Sequence, residues 1–191
     1  MKQKFMGFTL SEVLITLGII GVVAAITLPV VINKIDNLKY KSAYKKAYSD
    51  LSQILQKALV EEEWPYRESD YDQQATKNEY AIMKKGFKII KECDNTNFNE
   101  CWADGDKTDN GYPKKSESLP PFIDSAGRSW VNYYASQNIY FVDLNGLKGP
   151  NKWNKDRWSF TFVDKNGRRA YTGYPIKVGL FWYYDKDLLY K

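Results

Sequence analysis

The stretch VLITLGIIGVVAAITLPVVI, residues 13–32, holds twenty residues without a charge. As an α-helix it is about 30 Å long, the hydrocarbon thickness of a bilayer. Glu12 stands directly ahead of it, and the seven residues MKQKFMG before Phe8 include Lys2 and Lys4. Lysines on that flank favour a cytoplasmic N-terminus, with the rest of the chain carried across the membrane. Within the span Gly21 and Ala25 have the small-xxx-small spacing that lets two helices approach closely. Pro29 removes a backbone hydrogen bond and is expected to kink or loosen the helix. Glycine and proline are also common in membrane helices generally.

Three uses of such a segment compete. A secretory signal peptide would be cut after Val23-Ala24-Ala25 and release a product starting at Ile26, but the apolar run continues to Ile32. A plain signal anchor would stay uncut. Neither accounts for Glu12, because a carboxylate at the edge of the lipid core is costly unless it is paired or neutralised.

A third use does account for it. Gly7-Phe8-Thr9-Leu10-Ser11-Glu12-Val13-Leu14-Ile15 resembles the prepilin cleavage and methylation motif of type IV pilins and type II secretion pseudopilins. The resemblance covers residues 1 to about 35. It implies cleavage between Gly7 and Phe8 by a prepilin peptidase on the cytoplasmic side, which then N-methylates Phe8. Glu12 becomes the fifth residue of the mature chain and pairs with the N-terminal amine of a neighbouring subunit. An amine and a carboxylate, each costly in lipid alone, would satisfy one another and set axial register. Gly7 suits a scissile position because no side chain blocks the protease. The implied partners are other pilin or pseudopilin subunits, the peptidase/methyltransferase, an inner-membrane assembly platform and membrane lipid. The implied location is a single pass through the cytoplasmic membrane with the head outside, followed by an extracytoplasmic filament.

Composition narrows the alternatives. The chain has no histidine, which removes Ser-His and Cys-His nucleophiles, His-ligated zinc and a His proton shuttle. The net charge is +5, of which Lys2 and Lys4 supply two, so the chain after Gly7 carries +3. That is little for nucleic-acid binding, even with basic residues at 84–91, 114–115 and 168–169 and plentiful Trp and Tyr. The expectation is a structural protein, not an enzyme, without a cofactor.

Beyond the span the apolar positions Ile35, Leu38, Ala43, Tyr44, Ala47, Tyr48, Leu51, Ile54, Leu55, Ala58 and Leu59 form one helical stripe. A helix from about residue 8 to 63 follows, apolar all round in its first half and amphipathic in its second, stopped by Trp64-Pro65. Residues 1–7 are then a leader, 8–63 the membrane-spanning and assembly helix, and 64–191 a globular head. A second helix is expected over 76–91, with Tyr80, Met83, Phe87 and Ile90 on one face. Cys93 and Cys101 flank seven mostly polar, turn-forming residues; the alternatives are a disulfide, which export to the outer side of the membrane favours, and two free buried thiols.

The C-terminal third reads as strands over 129–134, 139–144, 158–163, 169–172 and 180–184, with turns at 143–146 and 164–167. An antiparallel sheet of about four strands packed on the amphipathic half-helix is the result, an α+β fold of the pilin kind. Two oxygen-rich stretches invite a calcium reading. Residues 104–111 fail the EF-hand pattern, with no glycine at the sixth position and Lys115 at the twelfth. Residues 143–156 match a C-terminal calcium loop only by analogy with some pseudopilins. Both are read as turns, and no metal is expected. Glu61-Glu62-Glu63 is read as a solvated helix end.

Overall fold

A computed structural model of the chain describes residues 7–61, 65, 72–106, 113–133, 139–163 and 177–180. The fold is α+β: a long N-terminal helix, a short second helix and an antiparallel sheet. By contacts the chain divides at Lys39/Tyr40, inside the first helix, into a unit of residues 1–39 and a unit of residues 40–191.

Helix α1 spans Leu10–Val60 and continues through Pro29. It ends four residues before Trp64, the expected stop, which lies outside the described residues. In the first unit its apolar side chains are exposed; Leu14, Leu17, Ile20 and Ile26 are all more than half accessible. The helix is long and apolar enough in this part to cross a membrane, and its most apolar window has no buried residue.

In the second unit α1 changes character. Tyr44, Ala47, Leu51, Leu55 and Ala58 are buried, and Ala43, Tyr48, Ile54 and Leu59 pack partly buried beside them. These are nine of the eleven stripe positions read from the sequence; Ile35 and Leu38, in the other unit, stay exposed. The stripe packs on the sheet: Tyr44 meets Trp158 and Phe160 with ring centroids 4.6 and 5.6 Å apart.

Helix α2 is Gln73–Gly86, displaced from the expected 76–91. Its start is fixed by Asp72, whose carboxylate accepts the Ala75 N–H at 2.9 Å. Its end is fixed at Gly86, after which Phe87 is extended. Ile89–Glu92 is therefore strand β1, not helix. Two β-branched residues in a row favour the strand, and glycine is a poor helix residue. Gly86 is also required by packing, since a Cβ there would collide with the Ile54 side chain.

Six strands pair in chain order, each antiparallel to the next: β1, β2 (Phe122–Asp124), β3 (Ser129–Tyr133), β4 (Ile139–Asp143), β5 (Arg157–Val163) and β6 (Lys177–Leu180). The expected count was about four. The additional strands are β1, taken for helix, and β2, too short to show an alternation. Of the five expected strands, 169–172 lies outside the described residues, as do the 164–167 turn and all of 180–184 except Leu180.

Strands β3 and β4 are buried at every position. One face, with Trp130, Tyr140, Val142, Trp158 and Phe160, packs on α1 and α2 through Leu51, Tyr80 and Met83. The other carries Val131, Tyr133, Ile139 and Phe141 beneath Phe98, Trp102 and Trp153, which come from loops. Covering both faces explains why apolar side chains stand next to one another in these strands, at Trp130-Val131 and from Ile139 to Val142, without a strict apolar–polar alternation.

Candidate functional site

The resemblance singles out Gly7, Phe8 and Glu12. Gly7, Phe8 and Thr9 are non-helical and exposed, and α1 begins immediately after them. Glu12 folds back on this start. Its Oε2 accepts the Thr9 N–H at 2.8 Å and the Thr9 hydroxyl at 2.7 Å, while the Glu12 N–H donates to Thr9 Oγ1 at 3.2 Å. This is a reciprocal capping box, which satisfies backbone donors that every helix N-terminus leaves open. The sequence signal was present in Thr9-Leu-Ser-Glu12, ahead of an apolar run. Asking only why an acid precedes the span misses it. Glu12 therefore has work within its own chain. Its second oxygen, Oε1, accepts no hydrogen bond among the described residues.

The glycines of this region are different. A Cβ at Gly7, Gly18 or Gly21 would meet no heavy atom within 4 Å. Nothing among the described residues requires glycine at these three positions.

In the head Cys93 and Cys101 form a disulfide. Cys101 is fully buried and Cys93 nearly so, both against Ile123 of β2. The bridge ties the 94–100 loop to the end of β1. Asp94 organises that loop by accepting the Thr96 N–H and hydroxyl, both at 2.6 Å, and the bonds from Thr96 hold its carboxyl below the usual range. Phe98 and Trp102 then cover the second sheet face.

The two oxygen-rich stretches, far apart in sequence, meet in space. Asn151 donates from Nδ2 to the Asp104 carbonyl at 2.8 Å, and the Asp106 N–H donates to the Asn151 carbonyl at 2.9 Å. The acids of the later stretch are engaged by the protein itself. Asp156 accepts the N–H groups of Asn151 and Lys152 at 2.8 and 2.6 Å. Asp143 accepts Arg157 Nε at 2.8 Å, with both side chains about 1% exposed. Burial pushes the Asp143 carboxyl up to about 7, against the lowering pull of Arg157. Arg157 donates further to the carbonyls of Ala103 and Asp106 and lies 4.8 Å from the Trp102 ring centre. Among the described residues no group of three or more His, Cys, Asp or Glu is placed to hold a metal ion.

A second buried ionic group joins α1 to the β2–β3 hairpin. Arg128 donates to Asp124 at 2.7 Å and to Asp50 of α1 at 2.8 Å, while Asp124 also takes the Trp130 indole N–H at 2.9 Å. Lys46 reaches the other oxygen of Asp50 at 2.6 Å. Burial pushes the Asp50 carboxyl up, but the bonds from Lys46 and Arg128 outweigh it and hold the group below its ordinary value. Neither ionic group was singled out from sequence, because their members are separated by up to 78 residues.

The head also has a cleft of about 580 Å³, bordered by the disulfide loop, the 102–105 segment, the 113–116 segment and Arg157. No protein-family model, curated protein or solved structure matches the chain.

Proposed function

We propose that the chain is a structural subunit of a type IV pilus-like or type II secretion pseudopilus filament, anchored in the cytoplasmic membrane before assembly. The observation that carries the reading is the junction at Phe8. There an acid opens a helix whose next twenty residues are uncharged, and whose most apolar window has no buried residue among the described residues. Glycines that no described residue requires lie on both sides of it. An apolar surface of this size calls for lipid or other helices, and small residues let helices approach. On this reading a prepilin peptidase cuts between Gly7 and Phe8 and methylates Phe8. Glu12 uses Oε2 for its own helix start and offers Oε1 to the amine of a neighbouring subunit. The head lies outside the membrane, where its disulfide is stable.

A second reading is favoured by the capping box. If Glu12 serves only to start the helix, the protein is a membrane-tethered head that never polymerises. Glu12→Gln separates the two, because an amide oxygen can still accept the Thr9 N–H but carries no charge. The filament reading expects mature protein starting at N-methylated Phe8 by mass spectrometry, and Glu12→Gln present in the membrane but missing from filaments. An uncut N-terminus, or normal assembly of Glu12→Gln, would overturn it. A soluble product starting at Ile26 would point instead to ordinary signal cleavage.

A further inference from the structure

We infer that the loop joining β4 to β5, residues 144–156, is a contact surface for anionic phospholipid headgroups. Its outward charge is all of one sign. Lys148 and Lys152 are exposed and Lys155 is half-buried, and among the described residues none of the three forms an ion pair. Both neighbouring acids are withdrawn. Asp143 is buried against Arg157, and Asp156 is buried against the N–H groups of Asn151 and Lys152. Leu147 stands beside Lys148 and is 44% exposed, whereas Leu144 of the same loop is packed into the core. An exposed leucine among unpaired lysines suits a bilayer surface: the apolar side chain enters between headgroups and the ammonium groups meet their phosphates.

The attachment of the loop brings it to a membrane. Asn145 donates from Nδ2 to the Tyr40 hydroxyl at 3.3 Å, which seats the loop on α1 at the residue where the head unit begins. Lys41, next in the chain, also forms no ion pair among the described residues. Tyr40 follows Ile32, the last residue of the uncharged run, by eight residues. That is about 12 Å of helix. The headgroup layer is about 5–8 Å deep, and a charged surface is felt for about one Debye length, roughly 8–10 Å, beyond it. A tether this short keeps the lysines within the field of the surface. The inference rests on residues 13–32 spanning a bilayer, and not on cleavage, methylation or polymerisation.

Other occupants fit less well. A second copy of the loop would set like charges against each other. A single-stranded nucleic acid needs exposed aromatic faces on which bases stack. The aromatic residue of the loop, Trp153, instead packs its ring on Phe141 of the second sheet face. The loop also holds its shape without a ligand. Asn145 donates to the Gly149 carbonyl at 3.0 Å, and Asn151 ties the far side of the loop to the Asp104 carbonyl. Side chains carried on a fixed loop lose less freedom on binding.

The test reads amide exchange of the full chain in nanodiscs of phosphatidylcholine alone and in nanodiscs that also contain phosphatidylglycerol. Exchange over residues 145–152 should be slower by about threefold or more in the anionic discs, and high salt should remove the difference. Strand β3 should exchange alike in both. The double variant Lys148→Gln/Lys152→Gln should abolish the difference, and Leu147→Ser should reduce it. All three positions are exposed, and retention of the disulfide and of the melting temperature certifies the fold of each variant. Equal exchange of 145–152 in the two discs, with residues 13–32 protected, would overturn the contact. Folded lysine variants that behave like the parent would overturn its location. Slowing that follows the number of chains per disc, and not the lipid charge, would overturn lipid as the occupant in favour of a second copy. Solvent-like exchange of residues 13–32 in every disc would overturn the spanning segment, and the contact with it.

Discussion

The two stretches of α1 on either side of Lys39 carry apolar side chains of the same kind and differ in what covers them. Leu17, Ile20 and Ile26 have no cover among the described residues, whereas Leu51 and Leu55 are completely buried under the head. The surroundings of the second stretch are supplied by the chain itself. Those of the first are not supplied by any described residue, and on the proposed reading they are lipid or other subunits. One helix thus joins a stretch packed by its own chain to a stretch that is exposed among the described residues.

The sharpest way to break that contrast is at the ionic contact that seats the second stretch. Arg128→Met leaves Asp124 buried without its partner, and losing one member of such a pair costs about 3–5 kcal/mol. Denaturant unfolding of the head should report it. The parent should also lose more stability than Arg128→Met as pH falls below about 4. The Asp50 carboxyl is held below its ordinary value, so its contribution is present above the unfolded pKa near 3.9 and disappears as the folded group takes up a proton. An equal acid dependence in the two proteins would remove Asp50 from the account.

A paired substitution tests the contrast directly. Leu51→Ala should cost about 2–5 kcal/mol of head stability through the cavity it leaves. Leu17→Ala, in the uncovered stretch, should leave head unfolding within the error of the parent. A comparable loss from both would mean that the first stretch has cover inside the chain after all. The smallest effect is expected at the start of the helix. Thr9→Ala removes the capping hydroxyl, worth roughly 1 kcal/mol of local helix stability. Amide exchange of residues 10–13 in micelles should speed up several-fold, with no change beyond residue 40.

Legibility followed the range of the interactions. The stripe from Ala43 to Leu59 was readable because a helix repeats its own face every three or four residues, and the structure buries those positions. Strands β3, β4 and β5 were readable from their aromatic and β-branched content. β1 was not, because Phe87 and Ile90 continue the periodicity of Tyr80 and Met83 in the preceding helix. Only Gly86 and the contact of β1 with Phe122 and Ile123 end that helix where it ends. The capping partner of Glu12 was local and could have been read from Thr9. The Arg128 and Arg157 networks could not, because their partners come together only when the sheet forms.

What the sequence determined by itself was therefore what a single segment enforces: an uncharged run of membrane length, an acid at its head, a helical face and several strands. These depend on periodicity and on neighbours a few residues apart. The tertiary structure alone decided which side chains of the sheet meet the covered stretch of α1 and how loops close the second face of the sheet. It also decided that the carboxylates of the later oxygen-rich stretch bond to Arg157 and to backbone N–H groups. Those outcomes require groups tens of residues apart to meet, and such meetings are fixed by the packed core, not by local pattern.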